Sequence, residues 1–327
     1  SLSYDTATKS LSVTPMTTRG TKCYLYFDEK GITNIQELIA SKNLATRTDF
    51  STTLTTDTTG TIYYADTSKG TTYYFAGAPT DNWVRWAGFY WRIIRINGDG
   101  SIRMIYQGTS ANTTGTGTQI QTSAFNSSRN NNMYVGFMYT SGQVHGLGTP
   151  STIKGVLDTW YQNNLADNAD DLDGNAGFCN DRTPYSGTGI GTSATDYGAL
   201  IRLYTNKAPT FECASESDLF TTSGSSEGNG ALQYPIGLIT MDEVAYAGGV
   251  VGSNNTSYYL YTGQNYWTMS PYYAGSYALV LGVISIDGYS SAWNTNSAYG
   301  VRPVVNLKAN TQFSSGNGTS ETPFVVS

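Results

Sequence analysis

Charged residues are scarce in this sequence. Asp, Glu, Lys and Arg make up 13% of its 327 residues, about half the share usual in globular domains. The 18 Lys and Arg stand against 24 Asp and Glu, and the basic residues form no cluster. No stretch approaches the roughly 20 consecutive apolar residues that a membrane helix needs. We therefore expect neither a nucleic-acid partner, which would require basic clusters, nor a membrane-spanning segment.

Cysteine and histidine are almost absent. The three cysteines are Cys23, Cys179 and Cys213, and their spacing fits neither a zinc knuckle nor a redox CxxC pair. If the compartment is oxidising, as the richness in Tyr, Thr and Asn suggests, Cys179 and Cys213 could close a loop of about 34 residues and contribute ~3–4 kcal/mol. Cys23 lies in the alternating run KCYLYFD, which predicts a strand with a buried free thiol.

Candidate catalytic residues are few. His145 is the only histidine, it lies in the glycine-rich run QVHGLG, and no GxSxG nucleophile motif accompanies it. Asp242 and Glu243 are the most suggestive carboxylate pair, but adjacent residues at a helix start point apart, and Glu243 can form a capping box with Thr240. We predict no catalytic residue, no cofactor and no enzyme activity.

One acidic segment, DNADDLDGNAG, has the charge density of a calcium loop. Aligned on Gly174, an EF-hand would need acidic groups at Ala169 and Asn180, so the pattern fails at both ends. The Glu-Pro-Asn signature of lectin calcium sites is also absent from the sequence. A solvated helix terminus is favoured, no metal site is predicted, and calcium binding by this segment stays open.

Aromatic and small polar residues are abundant instead. The chain has 26 Tyr and 6 Trp among many Asn, Ser, Thr and Gly residues, a composition that antibody-like binding surfaces share. Ordinary secreted β proteins have the same composition. Both interpretations stand on composition alone.

Local patterns predict many strands and three helices. The first 30 residues show short alternating runs typical of a β-hairpin or meander. Strands are also predicted in the β-prone runs TIYYAD and TTYYFAG. A long central hairpin from Trp86 to Tyr106 is predicted in WAGFYWRIIRI-NGDG-SIRMIYQG. Helices are predicted in ITNIQELIASKN, where Thr33 can cap, after Ser151, and from Thr240. Residues 108–149 are predicted to be long surface loops. We divide the chain into a β-rich stalk remnant with a linker helix at 1–45 and a ligand-binding domain at 46–327.

The order of these elements resembles the C-type-lectin fold in its formylglycine-generating-enzyme-like branch. The resemblance rests on the aromatic strand YWTMSP with Trp267, a DG hairpin, and a terminal strand with Gly300, Arg302 and Pro303. It implies an α+β, C-type-lectin-like mixed fold with few helices, preceded by a short β-rich stalk segment, and a structural role for those four residues. The enzymes of that branch use a cysteine pair near the C-terminus, which this chain lacks, so their activity is not implied.

The last 60 or so residues are also similar to the variable proteins of diversity-generating retroelements, and the chain as a whole to large surface proteins of Gram-positive bacteria. In the variable proteins, residues between the aromatic strand and the Arg strand are mutagenised to build a ligand-binding face. The resemblance implies ligand-binding residues at Tyr272, Tyr273, Ser276, Tyr277, Tyr289, Ser291, Trp293, Asn294, Asn296 and Tyr299. A Trp codon cannot arise from an Asn codon by changes at adenines, which argues against diversification of Trp293. Ordinary surface residues remain the alternative.

These observations lead to one expected function and two alternatives. We expect a non-enzymatic extracellular adhesion protein, attached to a cell surface in its full-length form. Its C-terminal face would recognise a protein or glycan on another cell or on a phage. The alternatives are a secreted glycan-processing hydrolase and a structural surface or pilus subunit.

Overall fold

The structure is a computed structural model that describes residues 2–5, 8, 10–13, 19, 31–225, 227–283 and 287–327. Its backbone contacts divide the chain into two units, Ser1–Gly31 and Ile32–Ser327. The boundary predicted after residue 45 falls inside the larger unit. In the smaller unit, β1 (Leu2–Asp5) and β2 (Ser10–Val13) form an antiparallel hairpin, as the alternating pattern predicts. Cys23 and its predicted strand lie outside the described residues.

The larger unit is a mostly β, α+β structure of mixed sheets with few helices. Its helices are α1 (Ile35–Ala40), α2 (Thr152–Asn164), α3 (Gly198–Leu200, continued by a π-helical turn over Ile201–Thr205) and α4 (Met241–Tyr246). Short 3₁₀ helices cover Gly115–Thr118, Asn132–Val135, Ala166–Asp171 and Glu216–Asp218. Its strands are β3 (Asn43–Ala45), β4 (Thr61–Thr67), β5 (Gly70–Tyr74), β6 (Trp83–Trp86), β7 (Phe89–Ile96), β8 (Ile102–Gly108), β9 (Gln121–Ala124), β10 (Met138–Tyr139), β11 (Thr149–Pro150), β12 (Phe178–Cys179), β13 (Pro184–Ser186), β14 (Thr195–Tyr197), β15 (Leu219–Phe220), β16 (Gly224–Ser225), β17 (Gly228–Asn229), β18 (Tyr266–Ala274), β19 (Leu279–Val283), β20 (Ser290–Asn294), β21 (Ala298–Val301), β22 (Val304–Leu307), β23 (Phe313–Ser315) and β24 (Phe324–Val326).

The long predicted hairpin is the centre of the first large sheet. Strands β7 and β8 pair antiparallel, with Trp91 opposite Tyr106 and Ile96 opposite Ile102. Gly100 in the connecting turn has a φ of 88°, a conformation that glycine adopts without strain. The sheet order is β23-β24-β6-β7-β5-β4-β3, with β8 beside β7 and β22 beside β8. The prediction of a central, covered hairpin is confirmed, since every residue of β8 is buried.

The second large sheet carries most of the predicted ligand-binding segment. Its order is β13-β14-β18-β19-β20, and β21 lies between β18 and β9. Strand β21 runs parallel to β18, with Tyr266 paired to Gly300, and antiparallel to β9. The aromatic strand β18 and strand β21, which ends just before Arg302, are therefore direct neighbours in this sheet.

Two of the three predicted helices begin at the residues that the sequence marks as caps. The Ser151 side chain accepts a hydrogen bond from the Lys154 backbone N–H, and Thr240 and Glu243 form the predicted capping box. Helix α1 differs from the prediction, because Asn34 and not Thr33 is its N-cap. The Thr33 hydroxyl instead donates to the Glu37 carboxylate.

A main hydrophobic core joins elements of both large sheets, and a smaller cluster forms around Tyr74, Ala76 and Tyr246. The main core includes Trp91 and Ile93 of the first sheet, Trp267 of the second, and Leu157 of helix α2, all of them fully buried. The segment 108–149 contributes Phe125, Val135 and Phe137 to this core, although its composition predicts surface loops. That prediction is wrong at these positions, because isolated apolar side chains show no periodicity by which burial can be recognised.

Candidate functional site

The predicted site residues begin at the end of strand β18. The register shifts between Pro271, paired with Val280, and Tyr273, paired with Leu279, so Tyr272 is the extra residue of a β-bulge. In the turn that follows, Ser276 and Tyr277 are exposed, and the Tyr277 ring lies 5.8 Å from the Tyr273 ring. Bulges re-aim side chains, and this one, which follows an earlier register shift between Trp267 and Pro271, lies where the tyrosines begin.

Tyr272 has two further tyrosines nearby. Burial raises the pKa of its phenol, and Tyr204 and Tyr289 contribute smaller electrostatic effects in the same direction. Tyr204 is 53% exposed, and its ring lies 5.3 Å from the Lys207 Nζ. The sequence analysis missed Tyr204, because nothing local to ALIRLYT indicates that the π-helical turn packs beside β18.

We name Tyr204, Tyr272, Tyr273, Tyr277 and Tyr289 the tyrosine group. Within the described part of the chain, none of their five hydroxyls makes a hydrogen bond. The members are half-buried or exposed. Each therefore combines an apolar ring with a polar group that is free to bind, the combination that makes tyrosine common at binding surfaces.

The other predicted residues lie elsewhere. Gly282 of β19 pairs with Trp267 on one side and with Ser291 on the other. Because side chains alternate along a strand, Trp293 lies on the same sheet face as Ser291, and Asn294 lies on the opposite face. The Trp293 and Tyr299 rings are 5.2 Å apart, and the Tyr299 ring is 5.1 Å from that of Trp267.

Asn296 is exposed in the turn before β21. The ten predicted residues thus do not share one face. Tyr299 is a half-buried packing partner of Trp267, and Trp293 packs against Tyr299. Of the other predicted residues, Tyr272 lies near Tyr204 and Tyr289, and Tyr273 lies near Tyr277.

The four residues expected to be structural are all buried. The Trp267 indole donates to the Ser123 carbonyl oxygen at 2.9 Å.

The Arg302 guanidinium donates to the carbonyl oxygens of Tyr106 and Leu260 and to the Gln107 side chain. Burial lowers the pKa of Arg302, which has no carboxylate partner among the described residues. A Cβ atom at Gly300 would lie 2.7 Å from the backbone oxygen of Asn265, so only glycine fits there.

A second concave region contains paired charges. Asp242 accepts hydrogen bonds from Arg202 Nε at 2.7 Å and Nη2 at 2.9 Å. Glu243 Oε1 lies 2.9 Å from Arg95 Nε and 2.5 Å from Arg103 Nε. Burial alone would raise the pKa of Glu243, but the two guanidinium groups and the Thr240 N–H hold it below its usual range. Glu243 therefore stays ionised and is a poor proton donor.

The predicted disulfide is present and lines the same charged cleft. Cys179 and Cys213 are bonded, with their Cα atoms 5.6 Å apart. The bond closes a loop with a sequence separation of 34 residues. It ties β12 to the loop that carries Phe211, whose ring lies 4.8 Å from the Arg95 guanidinium.

His145 has a clear structural partner. Its Nδ1 lies 2.9 Å from Oδ2 of Asp218, whose other oxygen accepts from the Arg182 guanidinium. The hydrogen bond to Asp218 is the main reason why the pKa of His145 is raised. Asp218 is fully buried, so this pairing anchors the QVHGLG loop to the fold.

The acidic segment at 166–173 uses several of its oxygens within the protein. Asp171 accepts a hydrogen bond from the Trp86 indole at 2.8 Å, and Asp173 accepts from the backbone N–H of Asn175 at 2.8 Å. Across the residues that the structure describes, no group of three or more His, Cys, Asp or Glu side chains is arranged to hold a metal ion.

Two further findings concern the chain as a whole. In the described ranges, no helix is both long enough and apolar enough to cross a membrane. Comparison with known proteins finds no match to a family model, to a curated protein or to a solved structure.

Proposed function

We propose that this chain is an extracellular recognition protein that binds a protein or glycan surface through the tyrosine group. One observation carries the proposal: at the bulged end of β18, Tyr204 and Tyr289 lie near Tyr272 and the Tyr277 ring lies 5.8 Å from the Tyr273 ring, and none of the five hydroxyls makes a hydrogen bond to a described residue. Tyrosine supplies a large contact area at low entropic cost, because only two side-chain torsions are lost on binding. The carboxylate pair at 242–243 is held by arginines, which argues against the hydrolase alternative.

The scaffold beneath the tyrosine group is rigid. Strand β18 is buried from Tyr266 to Pro271 and hydrogen-bonded on both sides, and Met269 and Val280 are fully buried. Tyr272 and Tyr273, which belong to β18, are therefore positioned by the sheet, and this lowers the ordering cost of binding. The disulfide supports placing the protein outside the cell, where such bonds persist.

We further propose the C-type-lectin-like fold and retroelement diversification for this segment. The burial of Trp267, Gly300 and Arg302 beside one another supports the fold. Exposed positions can vary without loss of stability, and Ser276, Tyr277 and Asn296 meet that condition. Trp293 and Tyr299 do not, since they pack against the core.

Sequencing the locus in sibling isolates tests the diversification. The expected result is a nearby imperfect repeat of the segment that encodes residues 267–302, with differences confined to adenines and changes at 276, 277 and 296. Absence of such a repeat from all isolates would reject diversification and leave the binding proposal to its own test.

Binding itself is tested with purified chain on glycan arrays, on a panel of purified bacterial surface proteins and on phage particles. For any ligand found, the double variant Tyr273→Ala/Tyr277→Ala should bind at least about 30-fold more weakly with an unchanged melting temperature, since two anchor side chains are lost. Tyr64→Ala is the matched control, because Tyr64 is a comparably exposed tyrosine, 37% accessible, on the other sheet.

Full binding by the double variant would reject the proposal. So would a loss of binding that only accompanies a loss of stability. Concentration-dependent assembly without any ligand would instead favour the structural-subunit alternative.

A further inference from the structure

A groove outside the tyrosine group runs along helix α2 beside strand β9. It holds about 660 Å³ of space between atoms, part of it open to solvent, and all seven residues that line it are uncharged. Those that matter here are Gln121 of β9 and, on α2, Gly155, Thr159, Trp160 and Asn163. A groove without charged residues suits a neutral ligand, because no charged side chain has to be desolvated when the ligand binds.

Trp160 forms a fixed aromatic wall of this groove. Its ring centroid lies 5.4 Å from that of Phe89, 5.6 Å from that of Tyr106 and 6.4 Å from that of Trp91. The side chain is half-buried, and its indole N–H has no hydrogen-bond acceptor among the described residues. An indole held by three other rings presents a flat apolar surface that needs no ordering when a ligand binds.

Two amide side chains with no partners flank the indole. Gln121 and Asn163 are exposed, and within the described ranges neither side chain makes a hydrogen bond. The neighbours of Asn163 behave differently: Asn164 donates to the Trp160 carbonyl oxygen at 2.8 Å, and Gln162 donates to the Tyr234 hydroxyl. Amide side chains offer both donors and acceptors, so this pair can accept hydrogen bonds from hydroxyl groups and can donate to them.

Gly155 leaves a gap in the helix surface that the fold itself does not require. Glycine is among the poorest residues for a helix interior. A Cβ atom at Gly155 would have no neighbour within 4 Å, so packing inside the chain does not exclude a side chain there. The gap lets a ligand approach the helix backbone next to Trp160.

We propose that this groove binds a neutral saccharide. The apolar face of a pyranose ring stacks on the Trp160 indole, and its hydroxyls bind the amides of Gln121 and Asn163 and the indole N–H. A sugar ring combines one apolar face with a hydroxyl-rich edge and carries no charge, which matches the uncharged lining. This site shares no residue with the tyrosine group, so the two proposals stand or fall separately.

The test titrates the whole chain with neutral oligosaccharides, using cello-, xylo-, manno- and chito-tetraose, and follows tryptophan fluorescence and calorimetric heat. We expect saturable binding of at least one of them. The double variant Gln121→Ala/Asn163→Ala should weaken it ten-fold or more without a change in melting temperature.

Gly155→Gln should abolish binding while the melting temperature holds or rises, because glutamine is the better helix former and its side chain fills the gap. Gln162→Ala is the matched control on the same helix and should bind normally, as should Tyr273→Ala/Tyr277→Ala.

Three results would overturn the proposal. The first is the absence of saturable binding to all four sugars. The second is binding that persists in both Gln121→Ala/Asn163→Ala and Gly155→Gln. The third is self-association of the chain that Gly155→Gln abolishes. The last result, measured by sedimentation, would assign the groove to a second copy of the chain.

Discussion

At one end of strand β18, Tyr266 and Trp267 are 1% and 0% exposed, whereas Tyr277, just beyond the other end, is 45% exposed. Both ends are aromatic, and the residue types alone do not separate them. The buried end has a partner for each polar atom, since Tyr266 donates to the Leu260 carbonyl oxygen and Trp267 to that of Ser123. The tyrosine group has no such partners among the described residues. Aromatic residues here serve as core or as surface according to what the neighbouring strands supply.

Replacement of Trp267 by alanine should produce the largest effect and would sharpen this contrast. The side chain is fully buried against the rings of Phe125 and Tyr299, so we expect a loss of about 4 kcal/mol in the free energy of unfolding from lost contacts and a cavity. Urea denaturation followed by circular dichroism measures it. A loss below about 1 kcal/mol would show that this end tolerates change as the other does.

Arg302→Met should rank next. It removes the donors that satisfy the buried carbonyl oxygen of Tyr106 and the Gln107 side chain, while methionine keeps most of the volume. We expect a loss of about 3 kcal/mol, because buried acceptors would be left without partners. The same urea titration applies. Stability equal to that of the parent chain would mean that water or repacking replaces the guanidinium.

Tyr266→Phe removes one hydroxyl group at the buried end. The ring beneath the Arg302 guanidinium, 4.7 Å away, is preserved, whereas the bond to the Leu260 carbonyl oxygen and the contacts of the hydroxyl with Arg302 and Tyr258 are lost. Since that oxygen also accepts from Arg302, we expect a cost of only about 1 kcal/mol, measured as a shift in the urea midpoint. A cost as large as that of Trp267→Ala would indicate that the hydroxyl organises the whole region.

Tyr277→Ala should have the smallest effect on stability. Its ring touches only Tyr273 among the described aromatic residues, and nearly half of the side chain is in solvent. We expect a change within about 0.5 kcal/mol, as for surface substitutions in general. Differential scanning calorimetry is the measurement. A loss above about 2 kcal/mol would break the comparison, since Tyr277 would then belong to the core.

Much of the local structure can be predicted from the sequence. Alternation and an Asn-Gly/Asp-Gly turn identify the β7–β8 hairpin, and the capping box at Thr240 and Glu243 identifies helix α4. These signals are local, so they do not depend on the rest of the chain. The pairing of Cys179 with Cys213 also follows from composition and spacing, once an oxidising compartment is assumed.

The candidate sites are harder to predict, because they depend on contacts between distant segments. Tyr204 lies near Tyr272 only because the π-helical turn packs near β18, and strand register decides which sheet face Trp293 occupies. A shift of one residue in that register would exchange the two faces, and no local pattern specifies it. The groove at Trp160 likewise needs β9 to lie beside α2.

The sequence by itself determined the β-rich class, the long hairpin and three helices with their starts to within a residue, and it indicated the disulfide pair once an oxidising compartment was assumed. Each of these follows from patterns within a short window or from a very small number of cysteines. Only the tertiary structure decided which aromatic residues became core and which became surface. The physical reason is that burial of a ring depends on whether another strand or helix covers it, and that cover comes from residues far away in the chain.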